Sequence, residues 1–313
     1  MSIATGAKSG LKIGIESTFA TEADLKYVMP VTSESLNHEV EPQKSEALLS
    51  KRGVSSIAPG SEGAGGSADF EAYPNSAGLL FYLALGKAEE ESGDTKITPI
   101  GINEDLPSST IEVNHSGSKT KYRGMVVDSL TFNGAVGTIP NFSVNFVGKE
   151  EIIGGGTDAG TLVQAGNDPY YFKELKVYKD DFSTLADDYS SIELTINNNL
   201  DTDDRRLDGT GKRKTVAAQG LEITGNVEII FSATALAGEY AKYKNFDDAE
   251  ISFILEKGDD EIKVHIPRLK FTEMPHDIGG ADKITLNASF EAILPASGNI
   301  IEVIDETNST GSY

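Results

Sequence analysis

Residues 251–271 read ISFILEKGDDEIKVHIPRLKF, and their alternation decides the fold class. Two apolar-rich runs, 251–255 and 262–269, flank the polar turn Lys257-Gly258-Asp259-Asp260. In the second run Ile262, Val264 and Ile266 alternate with Lys263, His265 and Pro267, the period of a strand buried on one face. Gly258 supplies the positive φ that a tight hairpin turn demands. A second hairpin with the same plan lies at 110–132, TIEVNHSGSKTKYRGMVVDSLTF, with its turn at Ser116-Gly117-Ser118. Leu130 and Phe132 fall there where Leu269 and Phe271 fall in the later stretch. The chain reads as one β unit used twice.

Working outward, the order of elements repeats. The first half reads as a short strand from Lys12 and a strand at 31–39. A long polar stretch at 40–66 follows, either a mobile loop or an extended hairpin arm. Then come a strand at 67–73, an apolar helix at 76–85 ended by Gly86, a solvated loop at 87–107, the hairpin, and a closing strand at 141–147. In the second half a strand at 190–197 precedes a charged arm at 198–220. A strand at 221–231, a short helix at 233–243, the hairpin and a closing strand at 284–292 follow. Asn226-Val227-Glu228 answers Asp69-Phe70-Glu71, each just before the helix of its half. The glycine-rich stretch 151–168 is the expected connector between domains 1–150 and 169–313. The expected fold is mainly β: two tandem β-sandwich domains, each with one short flanking helix.

The 313 residues suffice for two such domains, each burying its own core. Hydrophobic content of 38%, with 32 glycines, suits turn-rich β structure with much wetted surface. No apolar run reaches membrane-spanning length and no secretory signal is visible, so a soluble protein made in the cytosol is expected. The absence of cysteine excludes disulfides and thiolate chemistry. With 49 acidic against 27 basic residues the net charge is −22, which repels nucleic acid unless the charges are segregated.

Little in the chain points to catalysis, a metal or a cofactor. His38, His115, His265 and His276 lack metal-ligand spacing, and His265 reads as a surface or interface residue. Asp201, Asp203, Asp204 and Asp208 resemble part of a calcium loop, but the glycine and the terminal glutamate are misplaced. Arg205, Arg206, Lys212, Arg213 and Lys214 lie beside them, so a mixed-charge arm is the plainer reading. Gly63-Ala64-Gly65-Gly66 and Gly154-Gly155-Gly156-Thr157 lack the Lys-Ser/Thr of a phosphate loop. The pairs Asp187-Asp188 and Asp259-Asp260 lie in turns, where solvation accounts for them. No nucleophile–base set stands out.

The opening Gly14-Ile15-Glu16-Ser17-Thr18-Phe19-Ala20-Thr21 resembles that of tail tube (major tail) proteins of tailed bacteriophages. So do the polar arm after Ser33-Glu34-Ser35-Leu36, the Glu71 strand, the helix ending Leu83-Ala84-Leu85-Gly86, and the closing strand at 141–147. The resemblance spans the chain and rests on pattern and order. It implies β-sandwich domains whose inner strands close into a ring-wide barrel, rings stacked into a tube, and two domains per chain giving a homotrimeric, pseudo-six-fold ring. It also implies a virion tail component assembled in the host cytoplasm. Its partners would be copies of itself, the tape measure protein, and the tail terminator and distal tail proteins; double-stranded DNA would pass without specific binding, and no membrane is involved. Lumen-facing candidates are the polar-parity residues Asp69, Glu71, Ser143, Asn145, Asn226, Glu228, Asn287 and Ser289, with an outer-surface placement of Glu71 and Glu228 as the alternative. Inter-ring arm candidates are Glu41, Lys44, Glu46, Lys51 and Arg52, with Asp201, Asp203, Asp204, Arg205, Arg206, Asp208, Lys212 and Arg213 in the second arm. The competing reading is a two-domain β-sandwich binding or adhesion protein of a virion or cell surface; the absence of tryptophan weakens its sugar-binding form.

Overall fold

The computed structural model describes residues 5–47, 52–275, 284–308 and 310–313; Lys51 and His276 lie outside the described residues. Strands β1 (Gly10–Ile15), β2 (Leu25–Met29) and β3 (Val31–Glu34) lead into a long hairpin of β4 (Asn37–Lys44) and β5 (Ile57–Glu71). Helix α1 (Pro74–Leu85) precedes two more hairpins, β6 (Gly86–Glu91) with β7 (Asp94–Pro99) and β8 (Ser109–His115) with β9 (Ser118–Ala135). Strands β10 (Asn141–Gly148), β11 (Glu150–Ile153) and β12 (Asp158–Gln164) follow, then β13 (Leu175–Tyr178), β14 (Tyr189–Asn197) and β15 (Glu222–Ile230). After α2 (Ala233–Ala237) and α3 (Glu239–Asn245) come the hairpin β16 (Ala249–Lys257) with β17 (Asp260–Glu273), then β18 (Thr285–Ala292) and β19 (Glu302–Asp305). The fold is mainly β, with few and short helices.

Strand pairing runs β3–β5–β10–β9–β8–β1 in the first half. In the second half it runs β14–β15–β18–β17–β16–β13. Between them β9 and β14 pair antiparallel from Ser129↔Asn197 to Ala135↔Ser191. The result is one continuous stretch of eight strands, β3–β5–β10–β9–β14–β15–β18–β17.

Two further sheets pack behind this stretch. The N-terminal part of β9 sits between β8 and β11, in a layer that continues through β1, β2 and the parallel strand β12. The N-terminal part of β17 likewise sits between β16 and β19, and β19 pairs onward to β7 and β6. The hairpin β6–β7 of the first half thus completes a sheet of the second. Buried Glu16 ties the first layer together: its carboxylate accepts from Ser108 Oγ (2.7 Å), Thr110 Oγ1 (2.8 Å), the Gly124 N–H (2.9 Å) and the Ala20 N–H (2.7 Å). A buried carboxylate with four donors is compensated for its lost hydration.

A contiguous core fills the space between the layers. α1 buries Leu79, Leu80, Phe81, Leu83 and Leu85, begins with Pro74 at a position where a missing N–H costs nothing, and ends at Gly86 (φ 94°). Phe81 of α1 meets Phe142 edge-on at 5.4 Å, Phe142 tilts against Phe132 at 5.2 Å, and Phe132 stacks on Phe253 of β16 at 4.7 Å. This file of rings links the helix of the first half to the hairpin of the second.

Several expectations are corrected. The stretch 87–107 holds the hairpin β6–β7; Glu89, Glu90 and Glu91 hide it from hydrophobic periodicity, and Ile97 is buried by the distant β19. The stretch 151–168, which stays the expected connector, carries most of β11 and all of β12, paired with β9 and with β2. The helix at 233–243 breaks at Gly238 (φ −95°, ψ −97°) into α2 and α3. Of the two readings of 40–66, the extended hairpin holds, with Asn37↔Gly65 to Lys44↔Ile57 paired.

Phe132→Ala removes a fully buried ring shared by both halves. We expect a loss of about 3–5 kcal/mol, read as a lower denaturation midpoint by circular dichroism, with both halves affected together. A transition in which only residues of the first half lose protection from exchange would show that the rings do not couple the halves.

Candidate functional site

The eight-stranded stretch has one apolar and one polar face. Phe70, Phe142, Val144, Phe146, Val227, Ile229, Leu286, Ala288 and Phe290 are buried on the core side. The alternate residues form rows across the strands on the other face. One row pairs Ser33, Asp69, Ser143, Thr131, Thr195, Thr224, Glu291 and Lys270 in succession. The next pairs Glu71, Asn141, Asn133, Glu193, Asn226, Ser289 and Glu273. Asn145 lies in a third row with Ser67, Ser129, Asn197 and Glu222, and Glu228 and Asn287 lie in a fourth. All eight polar-parity candidates therefore share one face.

Side chains bond along these rows. Asp69 accepts from Ser33 Oγ (2.5 Å) and Ser143 Oγ (2.7 Å), and Asn145 donates to Ser129 Oγ (2.8 Å). Asn226 donates to Glu193 Oε1 (3.0 Å) and accepts from Ser289 Oγ (2.7 Å), while Ser190 donates to Glu228 (2.7 Å). Thr131 and Thr195 meet at 3.0 Å across the β9–β14 junction. Asp69, Glu71, Glu193, Glu222, Glu228, Glu273 and Glu291 make the face acidic. Against them stands Lys270 at its far end, held by Asp248 Oδ1 (2.6 Å) and the Phe246 carbonyl (2.5 Å). Glu193, Glu222, Glu291 and the Ser/Thr/Asn residues of β9 and β14 were missed from sequence. The signal was present in SSIELTIN, where Glu193, Thr195 and Asn197 alternate with Ile192, Leu194 and Ile196.

The two ends of the stretch lack ladder partners among the described residues. β3 pairs with β5 on one side only. From Lys270 to Glu273 β17 pairs with β18 on one side, whereas the other edge of β9 at the corresponding place is occupied by β14. Unpaired edges invite another strand.

The two arms differ. Glu41 and Lys44 on β4, and Glu46 and Arg52 beyond it, are exposed. The stretch 199–221 folds back instead. Asp201 accepts from the Asp203 N–H (3.0 Å), Arg205 donates to the Thr202 carbonyl (3.0 Å), and Asp208 accepts from Thr210 Oγ1 (2.7 Å). Arg206 and Thr215 bond Asp204 and hold its carboxyl below the usual range. Lys212 bonds Glu150 (2.5 Å), and Arg213 is buried. Burial alone would push the Glu150 carboxyl up; Lys212 and Arg123 outweigh it and hold it low. The aspartates thus have partners within the chain, and among the described residues no group of three or more His, Cys, Asp or Glu side chains could hold a metal. His265 bonds Glu250 (2.6 Å) within its own hairpin. Asp188 is not merely solvated: Lys179 bridges it (2.8 Å) to buried Glu239 (3.0 Å).

A family model described as phage tail tube protein matches residues 6–292, nearly the whole chain. The chain belongs to the phage tail tube protein family. It is a structural subunit of a virion's tail tube. No curated protein matches it. The acidic face and the two edges without ladder partners are the two features of this site that stand out among the described residues.

In this tube subunit Asn226→Ala breaks the chain of bonds from Glu193 to Ser289. Water replaces lost partners on an exposed face, so we expect no more than about 1 kcal/mol of destabilisation. Thermal unfolding of the purified subunit measures it; a loss several times larger would mean that the face is sealed from solvent.

Proposed function

We propose that the subunit joins its copies through the two open edges into a ring of three chains. Stacked rings then form a hollow, negatively lined conduit that delivers double-stranded DNA. The β9–β14 ladder carries this reading, because it is a join between two like units already made inside one chain. Residues 1–150 and 169–313 are read as two copies connected by 151–168, on the strength of the repeated pairing order. On that reading β3 stands where β14 stands, and β17 where β9 stands. The neighbour's β17 then takes the free edge of β3 as β9 takes β14. Three chains of eight strands close twenty-four strands, enough for a wide lumen and leaving no edge.

Placed inward, the acidic rows keep phosphates from adhering. A lysine repeated at every ring would instead add small attractions into a trap. The apolar face is already filled by core, which supports the polar face as the wall of the channel. The further partners are those of a tail: the tape measure protein within the lumen and the terminator and distal tail proteins at its ends. Assembly takes place in the host cytoplasm.

Because the chain has no cysteine, Ser33→Cys and Glu273→Cys in one chain place unique thiols on the two open edges. A short bis-maleimide should yield a covalent ladder that stops at three chains; a ladder that stops at six would overturn the trimer. For the lining, the double change Glu71→Lys and Glu228→Lys should leave tubes visible by electron microscopy but slow DNA ejection from assembled particles. Unaltered ejection, or a map with both side chains on the outer surface, would sink the inward placement.

A further inference from the structure

The two arms are not equivalent, and a single side chain marks the difference. Arg213, in the second half, is 7% exposed and inserts into the base of the β4–β5 hairpin in the first. Its guanidinium donates to the carbonyls of Ala64 (3.1 Å), Gly148 (2.7 Å) and Thr202 (3.2 Å) and to Glu39 Oε2 (2.9 Å). Gly63 leaves the room: a Cβ there would lie 2.1 Å from Nη1 of Arg213. Beside it the Glu62 N–H donates to the Gly211 carbonyl (2.9 Å), and Glu62 and Lys212 form a parallel bridge. Lys212 and Arg123 converge on Glu150. By contrast β4 is exposed along its whole length, and Val54 and Ile57, near the end of the hairpin, are 58% and 60% exposed.

We propose that Arg213 turns the second arm into a brace for the first, so that each chain presents one reaching arm, the β4–β5 hairpin, to another copy of the chain in the next ring. Resting on the ring of three proposed above, this makes the contact between rings three-fold, although the wall is pseudo-six-fold. The physical basis is the cost of burying a guanidinium. Arg213 keeps its place because three carbonyls and a carboxylate replace water, and these come from both halves of the chain. A clamp made by a planar fork fixes direction as well as distance. Hairpin and loop therefore share one orientation, and a hairpin splayed at a different angle would miss the next ring. The exposed Val40, Val54 and Ile57 supply apolar contact that the chain itself does not cover.

The Glu62 amide reports the clamp directly, because its acceptor is Gly211 of the loop. Hydrogen exchange of the unassembled subunit is compared for the wild type, R213A, R213K and G63A, the last of which displaces the guanidinium without altering the loop sequence. We expect exchange at Glu62 to accelerate by about ten- to a hundredfold in R213A, less in R213K, and clearly in G63A. Amides of β15 and β18 should be unchanged, which reports the fold. In R213A and G63A the concentration needed for tube growth should rise. Image reconstruction of wild-type tubes should show three hairpin contacts between successive rings.

Unchanged exchange at Glu62 in R213A and G63A would overturn the brace. Six equivalent contacts between rings, with 199–220 crossing like the hairpin, would overturn the single arm. If the wild type forms no ring at all, the tube assembly reading fails, while the exchange at Glu62 still decides whether Arg213 clamps the hairpin.

Discussion

The β9–β14 ladder is the constraint on which the rest of the structure depends. Seven residue pairs from Ser129↔Asn197 to Ala135↔Ser191 bring two runs of strands into one sheet. A sheet exposes one parity to each side, so this register puts Thr131, Asn133 and Ser129 in line with Thr195, Glu193 and Asn197. A slip of one residue would turn every one of these toward the core. On the other parity Phe132 pairs with Leu194 and stacks on Phe253 in the core.

From that ladder follows the division of labour between faces. On the dry side, rings and aliphatic side chains from both halves fill one core, and α1 closes it. On the wet side nearly all residues are Ser, Thr, Asn, Asp or Glu, and several of them bond one another along the rows while the rest face water. Such a face is stable against water without apolar cover. It carries the carboxylates of Asp69, Glu71, Glu193, Glu222, Glu228, Glu273 and Glu291. Membership of the tail tube family makes the chain a structural subunit of a tail tube.

Symmetry is kept where strands pair and broken where arms leave the sheet. The pairing order recurs in both halves, but the first arm is a regular hairpin and the second a loop folded on that hairpin's base. The hairpin β6–β7 breaks it again, since it crosses to pair with β19 of the second half. Crossed elements of this kind tie the halves together more firmly than the single ladder would.

By itself the sequence determined the elements whose cause is local. Alternation gave the hairpins β8–β9 and β16–β17 and the parity of β10 and β18, because a period of two needs only neighbouring residues. Leu79 to Gly86 carried the helix and its end for the same reason. The eight polar-parity candidates followed, and they do share a face. Tertiary structure alone decided what depends on remote partners. The strand β7 is held by β19, two hundred residues away, and its partner β6 is a run of charge that no periodicity would mark. Arg213 read as one more solvated charge of an arm, since nothing in KRKT signals that three carbonyls and Glu39 will close around it. The junction residues Thr131 and Thr195 were visible as strand residues, yet which strands would meet is fixed by packing of the whole core, to which local pattern is blind.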